Sequence, residues 1–173
     1  GPVAQALAAA GSKAGRPVLT APPGPLGAFP PQTLRPGSAV AAGYSSGDIR
    51  TSAIGTVSYV DGDRVWMFGH QLEAAGRRAL LLQDAYVFRV INNPNQLGQV
   101  GATYKLAASG HDLGTVTADG FSAVAGRIGT LPHTVPVRVI AHDTDSGTVR
   151  TVTAKAADEA AVDLPSGGSW TSF

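Results

Sequence analysis

The strongest constraint on the fold of this chain is a hairpin signal in its first half. Around the pair Asp61-Gly62 the residues alternate between apolar and polar. The apolar members of this pattern are Val57, Tyr59, Val65 and Met67. Alternation with a period of two predicts two strands, and an Asp-Gly pair between them predicts a type I′ turn. β structure is therefore the expected fold of this part of the chain.

The chain after Gly37 supports the same fold class. Short runs of β-branched and aromatic residues are broken by turn residues, which is typical of an all-β sandwich or barrel, here with mainly antiparallel strands. Residues 77–90 also have a near-helical apolar spacing, but Tyr86-Val87-Phe88 favours a strand in the second half. The further predicted strands are 38–42, 85–91, 114–117, 123–128, 135–141 and 148–154, and the sequence DTDSG at 143–147 predicts the turn between the last two.

We divide the chain into three parts. Residues 1–36 are an N-terminal extension, in which Val3–Ala10 predicts a short helix that needs packing to be stable. The proline-dense stretch that follows predicts either an extended strap across the domain surface or a disordered linker. Residues 37–155 form the β domain. Residues 156–173 are a tail or boundary that starts as a possible helix, AADEAAV.

Charge and composition narrow the choice of partners. Lys and Arg number 13 against 12 Asp and Glu, so the net charge gives no field that attracts nucleic acid or an anionic membrane. No apolar run approaches the roughly 20 residues that cross a bilayer, so we predict no membrane span. The chain has no cysteine, which excludes disulfides and a thiolate nucleophile. The histidine spacing matches no zinc motif, and we predict no metal and no cofactor.

One of the four histidines is a candidate for catalysis. His70 directly follows a predicted strand and the small residue Gly69, which lets the backbone bend or another group approach closely. Such a histidine suits a general base, and the alternative is an ordinary loop histidine. The G-x-S-x-G match at 43–47 lacks the strand-turn-helix setting of a nucleophile elbow, so we interpret it as a chance match. The sequence SGHD at 109–112 is interpreted as a polar turn.

The segment from Pro36 to His70 contains PGSAV, then GD, then AIGTVSYVDGDRVWMFGH, and it resembles the SpoIVB peptidase family of serine proteases. Members carry a GT-x-T-[FY]-x-D hairpin followed by an [AF]-[LF]-G-H segment. A weaker likeness continues through 114–116, 124–131 and 135–142. The resemblance implies a trypsin-like fold built of β-barrels, with His70 as the catalytic histidine. It would then accept the proton of a serine hydroxyl and return it to the leaving amine, a contribution of about 10²- to 10⁴-fold.

The chain departs from the family pattern where the nucleophile is expected. The family's serine lies in a G-x-S-G-S-P type segment, preceded by its aspartate, and nothing from Asp143 to Phe173 matches either one. Ser166, Ser169 and Ser172 have the right residue type without the pattern, so the serine is not carried over. Either the chain ends before the nucleophile and the barrel is incomplete, or this is a divergent member without peptidase activity. A lone histidine supplies little rate enhancement.

These observations leave two main functional hypotheses. The first is a SpoIVB-like serine peptidase domain, inactive by itself, whose partner is a protein or peptide substrate or the missing part of its parent chain. The alternative is a non-catalytic β-barrel module that binds or scaffolds a partner. In both cases we expect an extracellular or cell-surface bacterial protein, and unpaired strand edges would favour a homo-oligomer. A PDZ-like module is a third option, although the carboxylate-binding loop motif is missing.

Overall fold

A computed structural model describes residues 2–15, 29–93 and 102–161, and most of these residues lie in β-strands. All the strand pairings it gives are antiparallel. The prediction of a mainly antiparallel β fold with a short N-terminal helix is therefore confirmed. The elements are α1 (Pro2–Lys13), β1 (Ala39–Gly47), β2 (Thr51–Asp61), β3 (Arg64–Met67), β4 (Gly76–Asn93), β5 (Ala102–Asp119), β6 (Val124–Ile128), β7 (Thr134–His142), β8 (Val149–Ala157) and a 3₁₀ turn (Glu159–Ala161).

Six strands follow one another around a ring, in the order β1-β2-β3-β6-β5-β4, and β4 pairs again with β1. Strand β1 changes partner along its length, because Val40–Gly43 pair with β4 whereas Ser45–Gly47 pair with β8. Strand β8 in turn pairs with β7, which is the outermost strand. The ring is therefore not a clean barrel, since β1 leaves β4 for β8.

The hydrophobic core lies inside this ring. Successive side chains of a strand point to opposite faces, so every second residue turns inward. Strands β3 and β4 illustrate the pattern with Val65 and Met67 and with Leu80 and Leu82, all of them buried. Burying one such side chain contributes about 1.5–3 kcal/mol. The other buried members of the core are Leu34, Val40, Ala42, Val57, Val116 and Val124.

The hairpin β2–β3 forms where the sequence predicts it, but its turn is shifted by one residue. Asp61 pairs with Arg64, so the two turn residues are Gly62 and Asp63 rather than Asp61 and Gly62. Of these two, only Gly62 has a positive φ, at 58°. A type I′ turn needs positive φ at both positions, whereas a type II′ turn needs it only at the first, where glycine is preferred. The type I′ prediction is therefore wrong.

Two further local interpretations are corrected by pairing over long distances. The sequence SGHD is not a turn, because Ser109 and Asp112 both lie within β5 and pair with Ala85 and Gln83 of β4. The tail does not begin as a helix, because Ala156 and Ala157 continue β8 and pair with β7. In each case the neighbouring strand decides the conformation. The G-x-S-x-G match also lies in a strand, β1, as its interpretation as a chance match requires.

The N-terminal part of the chain is described at residues 2–15 and again from Phe29. Helix α1 exposes the side chain of Leu7 to 54%. Residues 16–28 of the proline-dense stretch lie outside the described residues. The rest of it lies on the sheet, since Phe29 stacks on Tyr86 and Leu34 is buried in the core. Among the described residues, no helix is long and apolar enough to cross a membrane.

Candidate functional site around His70

The backbone turns sharply between β3 and His70. Phe68 and Gly69 both have φ of 72°, in the left-handed region. A left-handed conformation costs a residue other than glycine about 1–2 kcal/mol, so the surrounding structure must stabilise Phe68. The Phe68 ring lies over Gly55 of β2, where an added Cβ would come within 2.9 Å of ring atoms. Glycine at position 55 therefore leaves the space that Phe68 occupies.

A buried carboxylate holds the loop that follows His70. Asp119, at the end of β5, is 1% exposed. Its two oxygens accept hydrogen bonds from the backbone N–H groups of Leu72, Glu73 and Ala75, at 2.8, 2.7 and 3.3 Å. A carboxylate that accepts several backbone N–H groups fixes their positions, because charge-assisted bonds are stronger than neutral ones. We call residues 68–76 the His70 loop, and Asp119 is its anchor.

An almost buried arginine adds to this anchor. The side chain of Arg78 is 4% exposed and lies 3.7 Å from the Asp119 carboxylate. It also donates to Glu73, within the loop, at 2.5 Å and to Glu159, in the 3₁₀ turn, at 2.7 and 2.9 Å. Tyr44 of β1 donates its hydroxyl to Glu73 at 2.6 Å. The loop is thus tied to β1, β4, β5 and the end of the described chain.

The pKa values of these groups follow from their contacts. Burial raises the pKa of Asp119, but the three backbone donors and Arg78 outweigh it and the net shift is downward. The Tyr44 hydroxyl bond, more than any other contact, lowers the pKa of Glu73. Burial alone would lower the pKa of Arg78, but the carboxylates of Glu159 and Glu73 raise it overall. Both carboxylates and the guanidinium are therefore charged at neutral pH.

His70 itself lies on the surface of this loop. Its ring meets the edge of the Phe68 ring, with centroids 5.8 Å apart. Its Nδ1 lies 2.5 Å from the carbonyl oxygen of Gln71. Among the described residues it bonds to no carboxylate and to no serine hydroxyl. The three candidate serines of the tail, Ser166, Ser169 and Ser172, lie outside the described residues.

The groups that anchor the loop were not identified as site residues from the sequence. Asp119 bonds to residues 44 to 47 positions earlier, and no local motif marks such a distant contact. The only signal was the residue type, an acid at the end of a strand. Within residues 2–15, 29–93 and 102–161, no group of three or more His, Cys, Asp or Glu side chains could hold a metal ion.

Comparison of the chain with protein-family models, with curated proteins and with solved structures gives no match. The resemblance to the SpoIVB peptidase family remains a prediction from the residues of the sequence. The assignment of His70 as a catalytic histidine remains one too.

Proposed function

We propose that this chain is a SpoIVB-peptidase-type domain that carries the histidine of a serine peptidase site and does not cleave peptide bonds by itself. The observation that carries the proposal is the His70 loop. The segments of the resemblance, the GT hairpin and the F-G-H stretch, are continuous in space as β2, β3 and the turn at Phe68-Gly69. A loop with this many anchors holds the backbone at His70 in a defined place, and catalysis by proton transfer requires such positioning.

The hydrogen bond of the His70 ring is compatible with a general base. The carbonyl oxygen of Gln71 can only accept, so the ring nitrogen that bonds to it, Nδ1, carries the hydrogen. The neutral ring then has its lone pair on Nε2. In a serine peptidase this nitrogen takes the proton of the nucleophile, while a carboxylate usually holds Nδ1. The Gln71 carbonyl selects the tautomer of the ring, but it does not provide the negative charge that stabilises an imidazolium.

The remaining parts of the proposal follow from the resemblance. A trypsin-like fold is built of β-barrels, and the ring β1-β2-β3-β6-β5-β4 is the part of this chain that would correspond to one. The substrate would be a protein or peptide, and the location extracellular or at the cell surface. Peptide hydrolysis would need a serine and an acid to reach His70 from elsewhere.

A specific observation also supports the second candidate, a module that binds a partner without catalysis. The outer hairpin, β7 and β8 with the turn between them, exposes several large apolar side chains on the edge of the sheet. They are Val135, Val137, Val139, Ile140 and Val149, between 37% and 56% exposed. Edge strands with exposed apolar residues are common sites of strand addition by a partner.

One NMR titration separates the two candidates. The ¹⁵N-labelled chain is titrated with peptides of digested casein, and in parallel it is incubated with a fluorophosphonate that labels activated serines. The peptidase-type proposal predicts no labelling, together with peptide-induced shifts at Phe68–Gln71 that are lost in His70→Ala. Shifts confined to β7 would contradict the peptidase-type proposal and support the binding module.

The control variant is His133→Ala, which removes another exposed histidine, one bonded to Asp158. It should leave the shifts at Phe68–Gln71 unchanged. Labelling of a serine that depends on His70 would overturn the claim that the chain does not cleave by itself. It would show a self-contained peptidase.

A further inference from the structure

A second histidine, His111, is held by a buried aspartate at a bulge in β5. Ser109 pairs with Ala85 and Asp112 pairs with Gln83, so two residues of β5 stand opposite the single residue Asp84. Such a bulge redirects a side chain and is frequent near functional sites. Asp84 is 2% exposed. It accepts hydrogen bonds from the His111 backbone N–H at 2.5 Å and approaches the His111 ring at Nδ1, at 3.0 Å.

This contact fixes how the ring is presented. The carboxylate of Asp84 can only accept a hydrogen bond, so Nδ1 is the donor. The lone pair of the neutral ring is then on Nε2. The His111 side chain is 39% exposed and lines an open cleft of about 920 Å³ between β5 and the outer hairpin. Nε2, which Asp84 does not contact, is therefore the ring nitrogen available to a ligand in the cleft. The anchor of His111 is a buried charge, unlike the carbonyl that contacts His70.

The neighbouring acid on the same wall is already bonded. Both oxygens of Asp112 accept hydrogen bonds, from Gln83 Nε2 at 2.7 Å and from Ser46 Oγ at 2.9 Å. Close by, the Gln83 Oε1 and Ser109 Oγ atoms are buried without a hydrogen-bond partner among the described residues. Buried polar atoms without partners are few in native proteins, and each calls for an explanation. They mark this bulge as a polar site built into the sheet at a cost in stability.

The opposite wall of the cleft is cationic. Among the residues that line the whole cleft, Arg50, Arg138 and Lys155 are positively charged, against the single acid Asp112, and Arg138 and Lys155 are those on the outer hairpin. Pro136 pairs with Lys155 and Arg138 pairs with Thr153, so Arg138 and Lys155 project from the same face of the outer hairpin. Within the described residues, neither of these two side chains makes an ion pair or a hydrogen bond. The cleft thus has two unpaired cations facing a carboxylate-oriented histidine.

We propose that this cleft is a binding site for an acidic peptide. Acidic side chains of the peptide would pair with Arg138 and Lys155, while an N–H or O–H of the peptide would donate to Nε2 of His111. Pro31 and Pro136 supply apolar surface for the remaining side chains. The proposal does not depend on His70 or on peptidase chemistry, because His70 is not among the lining residues.

The test uses two short peptides of equal length, acetyl-Ala-Glu-Val-Glu-Ala-amide and the same peptide with Gln in place of Glu. Each is titrated into the ¹⁵N-labelled chain, with amide shifts as the readout. We expect saturable shifts at Gly110–Asp112, Arg138 and Lys155 with the Glu peptide only. Removing one cation by Arg138→Gln or Lys155→Gln should weaken binding roughly two- to fivefold. Losing the hydrogen bond in His111→Ala should weaken it about tenfold.

His70→Ala is the matched control and should bind as the unaltered chain does. Arg138 and Lys155 are exposed residues of the outer hairpin, so their substitution should not disturb the bulge. These two variants therefore test the proposal even if His111→Ala alters the bulge. Equal binding of the Gln peptide, or unchanged binding after both cations are removed, would overturn the proposal. So would the absence of saturable shifts below about 1 mM, which corresponds to about 4 kcal/mol of binding free energy.

Discussion

The His70 loop and the bulge at His111 solve the same structural problem in different ways. Each is a distorted piece of backbone held by a buried aspartate, Asp119 at 1% exposed and Asp84 at 2% exposed. Among the described residues, the Asp119 carboxylate contacts Arg78 and backbone N–H groups of its loop, so the His70 ring is left outside the anchor. Asp84 bonds to the ring of His111 as well as to its backbone.

The difference shows that burial of an acid and orientation of a histidine are separate properties. In the first region the carboxylate fixes the backbone of the loop, and the His70 ring contacts the Gln71 carbonyl and the Phe68 ring. In the second the carboxylate selects the tautomer of the ring and adds negative charge behind it. The first region therefore has an anchored backbone, and the second has a histidine ring oriented by a carboxylate.

The largest effect is expected from Asp119→Ala. The substitution removes the partner of three backbone N–H groups and leaves Arg78 buried with less compensation. Breaking a buried charged network costs about 3–5 kcal/mol of unfolding free energy. Urea unfolding followed by far-UV circular dichroism measures it. Asp143→Ala, in an exposed turn where the carboxylate also accepts backbone N–H groups, is the control and should cost much less. Equal losses would show that Asp119 is not the anchor of the loop.

Asp84→Ala should have a smaller effect on stability. Two backbone N–H groups, those of Gln32 and His111, lose their acceptor. Leaving a buried group unsatisfied costs about 1–3 kcal/mol, but Gln32 is exposed and His111 is half-buried, so water replaces part of the loss and we expect about 1–3 kcal/mol for the two together. Its specific effect is on the His111 ring, whose nitrogens should no longer favour one tautomer. Long-range ¹H–¹⁵N spectra of the imidazole report that change, and those of His70 should stay as they are. A loss as large as that of Asp119→Ala would remove the distinction between the two regions.

Acid should weaken the His70 loop. The pKa of Asp119 is lower in the folded chain than its ordinary value of 3.8, so its ionised form stabilises the fold above that value. This contribution is lost as the pH falls through the lower, folded pKa. Urea midpoints measured from pH 6 down to pH 2 should fall in the unaltered chain. In Asp119→Asn they should start lower and fall less steeply. Parallel pH curves for the two proteins would contradict this assignment.

The smallest effect is expected from Arg50→Lys. Arg50 donates to the carbonyls of Gly47, Ser109 and Gly110 and so ties the bulge to β1. A lysine cannot reproduce this fork, but the site is exposed and water replaces the lost bonds, so we expect a loss of about 1 kcal/mol. Thermal unfolding measures it, with Arg150→Lys in exposed β8 as the control. A negligible loss would mean that Asp84 alone holds the bulge.

The sequence predicted those parts of the fold that depend on local patterns. The hairpin β2–β3, the short helix and the turn at 143–147 all have their determining residues side by side in the chain, and the structure has each of them. The position of His70 directly after a strand and a glycine was predicted for the same reason. For the ring, the sequence predicted only a mainly antiparallel β fold. The order of its strands was not predicted, because it depends on which distant strands pair.

The parts that could not be predicted depend on contacts across the chain. The bulge exists because Asp84 faces two residues of β5, and nothing in SGHD alone indicates that. The turn of the hairpin moved by one residue because pairing of Asp61 with Arg64 extends the strands. A single sequence contains the residues of these contacts but not their register.

The way the outer hairpin joins the ring determines how stable the hairpin is against local opening. Three residue pairs connect β8 to β1, and Asp48 adds bonds to the backbone and hydroxyl of Thr153. Elements with so few buried contacts open as separate cooperative units, and their amide hydrogens exchange with solvent long before those of the core. We therefore expect the amide hydrogens of β7, the outermost strand, to exchange before those of the ring strands. His111 is reached without such opening, since its side chain is already 39% exposed.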